Sequence, residues 1–236
     1  MPRARHHDFL AVSILILSII GTTLVLPITV FKPIAYLDIP WRKTLIGSLL
    51  AILCIAGIPA ALLPGKCAKA THRSRRETAG YKFESPAPQK VAVVFRGHHP
   101  DCGKFDAHIV HIMGNEYCAA CTGLALGALI VLAGTFLYFF IEYSMENFGL
   151  WAIFAGQIGV ALGLFQFKFR NFMRLALNAI FVIACFLILA GADSVAGNLL
   201  LDLYIFGLIL YWLFTRIMLS KWDHTRICRK CGFSCI

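Results

Sequence analysis

Charged side chains are scarce in this chain. Asp, Glu, Lys and Arg make up 14% of its 236 residues, whereas 59% are hydrophobic. A soluble domain usually has about 25% charged residues and less apolar content. The scarcity of charge excludes a disordered protein, a disulfide-stapled secreted peptide and an ordinary soluble enzyme. The sequence also lacks a zincin motif, a nucleotide-binding loop and a serine-nucleophile motif, so it carries no familiar catalytic signature.

The sequence does have long apolar runs. Six of them are long enough to cross a hydrocarbon core, which takes about 20 helical residues. The predicted spans are Phe9–Phe31, Thr44–Leu63, Gly123–Ile141, Gly149–Phe167, Leu175–Ala192 and Leu199–Leu219. None of them alternates as the strands of a membrane β-barrel do. The predicted fold is therefore an all-α membrane protein, a bundle of six transmembrane helices.

The spans divide the chain into four parts. Residues 1–63 carry the first two helices, 64–117 a basic loop, 118–219 helices three to six, and 220–236 a Cys-rich tail. Glycines in the third and fourth spans would let helices approach closely, and Gln157 and Asn178 are expected to form hydrogen bonds between helices.

Basic residues orient the predicted bundle. Nineteen Lys and Arg residues fall on the side of the termini and the long loop, and three fall on the other side, namely Lys32, Arg42 and Lys43. Loops rich in Lys and Arg stay in the cytoplasm, so we expect a cell-membrane protein with both termini cytoplasmic.

The net charge of +10 therefore needs no nucleic-acid partner. The expected partners are the bilayer itself and, at Arg73, Arg75 and Arg76 in the basic loop, anionic lipid headgroups.

Cysteine and histidine are concentrated on the predicted cytoplasmic side. Cys54 and Cys185 lie inside spans and are expected to be small packing residues, but the other seven cysteines and all eight histidines lie outside the spans. Because no histidine lies within a predicted span, a haem held between helices is not expected. Because the cytoplasm is reducing, clustered cysteines there indicate metal ligands or redox thiols.

A candidate zinc site lies immediately before the third span. Cys118 and Cys121 are spaced as a metal knuckle at a helix N-terminus, where the helix dipole favours thiolates. Cys102, separated from Cys118 by fifteen intervening residues, and either His98 or His99 would complete a tetrahedral set. His99 is preferred because two residues separate it from Cys102 and Pro100 turns the chain between them.

Between these ligand groups the sequence predicts a small β-hairpin. The apolar segment Ala107–Met113 is followed by Gly114 and Asn115, which favour a turn. His108 and His111, which lie in this segment, are expected to be polar loop residues.

Three functions remain open at this point. The first is a scaffold or subunit of a membrane complex with a structural zinc site. The second is a membrane metalloenzyme in which Asp101 or Glu116 acts as base, and the third is a thiol-redox protein that uses Cys118 and Cys121.

This stretch resembles a widespread family of uncharacterised prokaryotic multi-pass membrane proteins. That family has a Cys/His cluster, a linker containing Phe, and Cys-x-x-Cys-Thr-Gly leading into a glycine-bearing helix. The matching residues here are His98, His99, Phe105, Cys118, Cys121, Thr122, Gly123 and Gly127. The chain departs from this pattern at two points. It has His98-His99 where the family has a Cys-His pair, and it has Ala119-Ala120 where the family often has a basic residue between the knuckle cysteines. The resemblance implies a multi-pass membrane protein and no established activity.

The tail contains a second cysteine group, formed by Cys228, Cys231 and Cys235. It could join Cys118 and Cys121 in a four-cysteine site, form its own metal site with His224, or be lipidated. At the opposite side, Asp202 lies four residues into the last span, where a carboxylate either reaches water at the interface or is functional.

Overall fold

The computed structural model describes residues 2–31, 39–62, 95–96, 99–100, 105–141, 143, 145 and 147–231, with side chains for 9–31, 39–61, 105–141, 143, 145 and 147–227. Within these residues the chain forms six helices. They are α1 (Pro2–Val30), α2 (Arg42–Leu62), α3 (Ala119–Thr135), α4 (Gly149–Leu164), α5 (Asn171–Ala196) and α6 (Leu199–Cys231).

The helices correspond to the six predicted spans. Five of them are long and apolar enough to cross a membrane, whereas α4 is a shorter apolar helix of 16 residues. A π-helical segment, Phe136–Phe140, extends α3, and a short 3-10 turn, Gln166–Lys168, follows α4. The last helix continues past the predicted end at Leu219 as far as Cys231, so most of the predicted tail is helical.

Helix α5 lies at the centre of the bundle and is the most buried of the five long helices. Glycines on its neighbours allow this packing. In α3, a Cβ added at Gly127 would lie 2.8 Å from the carbonyl oxygen of Ala179. In α4, a Cβ at Gly159 would lie 2.6 Å from the Cβ of Ala184. The predicted close approach of helices is thus confirmed, with α5 as the shared partner.

Polar side chains attach the remaining helices inside an apolar bundle. Ser18 of α1 and Thr215 of α6 are hydrogen-bonded at 2.8 Å, and the Trp212 indole donates to the Ser18 carbonyl oxygen at 3.3 Å. Gln157 of α4 donates to the Thr22 carbonyl oxygen of α1 at 2.7 Å, as its position in a span predicts. The outward faces carry exposed apolar side chains, among them Ile16, Ile52, Leu129, Phe154 and Ile217.

The helices alternate in direction between two ends of the bundle. We call the end that contains Cys118, at the start of α3, the cysteine end. The opposite end is the Arg42 end, where α2 begins. Gly149 at the start of α4 packs against Ser194 near the end of α5, and Phe167 just after α4 contacts Trp222 of α6. Although α4 is short, it therefore runs from the Arg42 end toward the cysteine end.

A β-hairpin leads directly into α3. Two-residue strands β1 (Phe95–Arg96) and β2 (His99–Pro100) pair with each other, and β3 (Ile109–Ile112) pairs antiparallel with β4 (Asn115–Cys118). The hairpin turn consists of Met113 and Gly114, with φ of 50° and 79°. Positive φ at both central residues matches the right-handed strand twist. The predicted hairpin is confirmed, with its turn one residue earlier than expected.

Because α3 packs closely on α5 at Gly127, one methyl group added there should measurably lower the stability of the protein. Gly127→Ala should lower the free energy of unfolding by about 1–3 kcal/mol, because its Cβ meets the backbone of Ala179. The measurement is thermal unfolding of purified protein in a mild detergent. Gly207→Ala in α6 is the matched control, because nothing lies within 4 Å of its added Cβ. Equal melting temperatures for the two variants would contradict the close packing.

Candidate functional site

The two knuckle cysteines lie side by side at the cysteine end. Strand β4 ends at Cys118 and α3 begins at Ala119, so the hairpin delivers Cys118 to the helix N-terminus and Cys121 follows in the first turn. The two thiols lie within hydrogen-bonding reach of each other and form no disulfide. Cys118 is buried and Cys121 is half-buried. The predicted pairing of these cysteines is therefore present in the fold.

A buried guanidinium stands next to these thiols. Arg216 of α6 is 6% exposed and interacts electrostatically with both Cys118 and Cys121. Its Nε and Nη2 donate to Asn178 Oδ1 of α5 at 2.8 and 2.5 Å, which confirms Asn178 as a hydrogen-bonding group between helices. Within the described part of the chain, Arg216 forms no ion pair with a carboxylate.

A second buried guanidinium ties the hairpin region to the bundle. Arg174 of α5 is 2% exposed and donates from Nη2 to Asp223 Oδ2 of α6 at 3.2 Å. Its Nη1 lies 2.9 Å from His108 Nε2. Because a guanidinium can only donate, His108 Nε2 accepts and its proton resides on Nδ1, so this imidazole is neutral in this arrangement.

Aromatic rings close the space around His108. Phe105 lies 5.3 Å from the His108 ring and 4.9 Å from the His224 ring, centroid to centroid, and the two histidine rings are 5.7 Å apart. Phe105, His108 and α6 thus form one packed cluster. The segment that precedes the hairpin is thereby fixed to the end of the last helix.

The prediction that His108 and His111 are polar loop residues is wrong for His108, which is buried, and His111 is exposed but lies in strand β3 rather than in a loop. His108 is 4% exposed, in a 3-10 turn (Asp106–His108) before β3, whereas the His111 side chain is 68% exposed and lies 3.1 Å from Glu116 across the hairpin. Periodicity could not separate the two, because burial of His108 depends on Arg174 and Asp223 from distant helices. In the sequence, Arg174 and Arg216 stand out only as two of the basic residues that orient the predicted spans. Their positions close to the ends of the fifth and sixth predicted spans are the feature that could have indicated a role inside the bundle.

The other predicted metal ligands lie partly outside the described residues. His98, Cys102 and Cys235 fall outside them, as do the side chains of His99, Cys228 and Cys231. The backbone places His99 in β2 and the tail cysteines Cys228 and Cys231 in the last turns of α6. Among the residues that are described, no three His, Cys, Asp or Glu side chains converge on a metal position. Of the expected ligands, only Cys118 and Cys121 have side chains that the structure describes, so the zinc site stays a prediction.

The Arg42 end contains a separate ionic cluster. Arg42 of α2 forms ion pairs with Asp193 of α5 and, at 2.5 Å, with Asp202 of α6. Tyr138, in the π-helical segment, donates to Asp193 Oδ2 at 2.7 Å. Asp202 does not reach water at an interface, because its side chain is 0% exposed. It is held by the guanidinium instead.

A tight turn between α5 and α6 brings the two carboxylates together. Gly197 has φ of 61°, in the left-handed region that glycine adopts without strain. Asn198 Oδ1 then accepts hydrogen bonds from the amides of Leu200 and Leu201, at 2.9 and 3.3 Å, and caps α6. Asp193 and Asp202 therefore end up on facing turns of consecutive helices.

Comparison of the chain with known protein families, with curated proteins and with solved structures finds no match.

The His108 cluster predicts a contrast between two histidines three residues apart. His108→Ala should lower the free energy of unfolding by about 1–3 kcal/mol, because Arg174 loses an acceptor in a buried position. His111→Ala should cost less than about 1 kcal/mol, because its pair with Glu116 is exposed. Thermal unfolding and limited proteolysis of the hairpin measure both. If the two variants behave alike, His108 does not hold the hairpin.

Proposed function

We propose that the protein is a six-helix integral membrane protein that holds a structural zinc ion at its cytoplasmic face and serves as a scaffold or subunit of a membrane complex. The supporting observation is the pair of adjacent thiols, Cys118 and Cys121, at a helix N-terminus beside the buried Arg216. The proposal combines this geometry with the ligand spacing in the sequence.

Two positive groups favour thiolates at this position, whereas burial of the two thiols acts in the opposite direction. A guanidinium buried without an anionic partner costs several kcal/mol, so Arg216 is stabilised when a neighbouring thiol is deprotonated. The positive end of the α3 dipole acts in the same direction. Thiolate is the form that binds zinc, and zinc in turn keeps its thiol ligands deprotonated. Two thiolates in one helical turn thus match half of a tetrahedral zinc site.

The remaining two ligands are assigned from the sequence. Cys102 and His99, with His98 as the alternative to His99, precede the hairpin and would complete the set. Such a closed site would fix the region before the hairpin to the foot of α3 and leave no open position for water. A structural role is proposed because four protein ligands would fill the zinc coordination. In addition, Glu116, one of the two residues suggested as a catalytic base, is hydrogen-bonded to His111 on the hairpin.

A thiol-redox function is the second candidate. It is favoured by one observation, that the Cys118 and Cys121 thiols lie within hydrogen-bonding reach of each other and form no disulfide. The Arg216 charge would also activate a nucleophilic thiolate. Metal retention separates the candidates, because a redox pair needs accessible thiols and a zinc site occupies them.

The proposed orientation rests on the basic residues and on the alternation of the helices. Nineteen of 22 Lys and Arg residues lie on the cysteine side of the predicted spans, and two of these, Arg174 and Arg216, are buried in α5 and α6. We place this end in the cytoplasm, with α4 as a short sixth span of about 24 Å by helical rise. The basic loop, including Arg73, Arg75 and Arg76, would then face anionic lipid headgroups on that side.

Metal analysis tests the zinc proposal. Purified protein in reducing buffer should hold about one zinc per chain, as expected for one tetrahedral site, and Cys121→Ser should lose most of it and gain protease sensitivity before the hairpin. Cys185→Ser is the matched control, because that buried thiol lies inside the bundle. If Cys121→Ser keeps its zinc while Cys228→Ser loses it, the tail is the metal site. Protein without zinc, whose thiols react in the native state, would favour the redox function.

Cysteine labelling tests the orientation. A cysteine introduced at Lys32 or Ser144 should react with a membrane-impermeant maleimide in sealed cells, and one at Ser74 should react only after lysis. The parent protein without introduced cysteines gives the background. Labelling of the Ser74 variant in sealed cells would invert the assignment and remove the argument from a reducing compartment.

A further inference from the structure

A cavity of about 360 Å³ lies between α2, α3, α5 and α6. Its walls are aliphatic, aromatic or small side chains from all four helices, for example Leu50, Val131, Phe181 and Ile209. Among the described residues of this lining, Arg216 is the one that carries a charge, and Cys121 also lines the cavity. The cavity is therefore an apolar space with one charged residue, Arg216, among its described lining residues.

The part of the cavity that Arg216 and Cys121 line is also the part nearest to the cysteine end of the bundle. Arg216 and Cys121 belong to the cysteine end of the bundle, whereas Leu50, Val131 and Ile209 lie farther along their helices toward the Arg42 end. A ligand that fills the cavity would have its polar group level with Arg216 and its apolar part deeper in the bundle. That is the orientation of a lipid in the leaflet on the cysteine side.

The cavity reaches the outer surface of the bundle between α2 and α6. Gly57 of α2 and Ile217 of α6 both line it, and both are exposed. Helix α2 packs mainly on α3 and touches α6 only slightly. A hydrocarbon chain could thus enter sideways from the surrounding bilayer without passing through the polar hairpin region.

We propose that this cavity binds a single-chain amphiphile whose anionic headgroup, a carboxylate or a phosphate, pairs with Arg216. Charge complementarity selects the headgroup, because a buried guanidinium without a carboxylate partner in the described chain gains a charge-assisted hydrogen bond from such a ligand. The apolar walls select the chain, and the volume lies in the usual range for small-molecule sites. The proposal does not require zinc at Cys118 and Cys121.

Photo-crosslinking with three matched probes tests this site. The protein is placed in vesicles of zwitterionic lipid with diazirine-bearing hexadecanoic acid, hexadecyl phosphate or hexadecanol, at mildly alkaline pH, and the labelled peptides are mapped. The anionic probes should label α2 and α6 around Gly57 and Ile217 at least about tenfold more than the alcohol, as expected for a charge-assisted hydrogen bond. Labelling by the carboxylate alone indicates a fatty acid, and by the phosphate alone a lipid phosphate.

Two glycines provide a blocking variant and its control. Gly57→Leu should narrow the cavity where it opens to the surface, because Gly57 lines it and no atom lies within 4 Å of an added Cβ there, and should reduce labelling at least about tenfold. Gly207→Leu adds the same side chain to open space outside the cavity lining and should label like the parent. Zinc content measured on both variants should not change, so the amphiphile site and the metal site can fail separately.

Arg216 variants test the headgroup contact. Arg216→Gln should lose the preference for the anionic probes over the alcohol, and Arg216→Lys, which keeps the charge, should retain most of it. Labelling that is equal for all three probes, or that persists in Gly57→Leu, would overturn the proposal and leave the cavity as space filled by bilayer chains.

Discussion

Close backbone packing on both sides of α5 is the constraint on which the other contacts depend. Within lipid, apolar side chains gain little by leaving one apolar neighbour for another, so helices associate through short contacts and hydrogen bonds. Gly127 on one side and Gly159 on the other let α3 and α4 approach α5 to backbone distance. With this spacing set, α5 can present Arg174 and Asn178 at one end and Asp193 at the other to partners on neighbouring helices.

The buried charges at the two ends of the bundle are compensated in different ways. At the Arg42 end, two carboxylates surround one guanidinium. At the cysteine end, Asp223 is the one buried carboxylate among the described residues, and it pairs with Arg174. Arg216 is left to the thiols and to the cavity. This imbalance explains why both proposals, a metal-thiolate centre and an anionic amphiphile, meet at the same residue.

Much of the fold could be predicted from the sequence. A segment that crosses a bilayer must reach a minimum length and must form its own backbone hydrogen bonds, so few alternatives to helices remain. The six helices, the hairpin and the packing glycines follow from local pattern. Sequence spacing also predicted Cys118 and Cys121 as neighbours, since both lie within one turn. The burial of His108 and Asp202 could not be predicted, because each is held by a side chain from a helix distant in sequence. The extension of α6 to Cys231 was also missed, since its polar residues resemble a loop.

The Arg42 cluster has a consequence for how the chain is assembled. Arg42 is separated from Asp193 and Asp202 by 151 and 160 residues, so its partners are synthesised long after α2 has left the ribosome. Until then its guanidinium must stay at the membrane surface, where water can solvate it. The ionic contacts that hold α2 at the Arg42 end can therefore form only after the last two helices have been made.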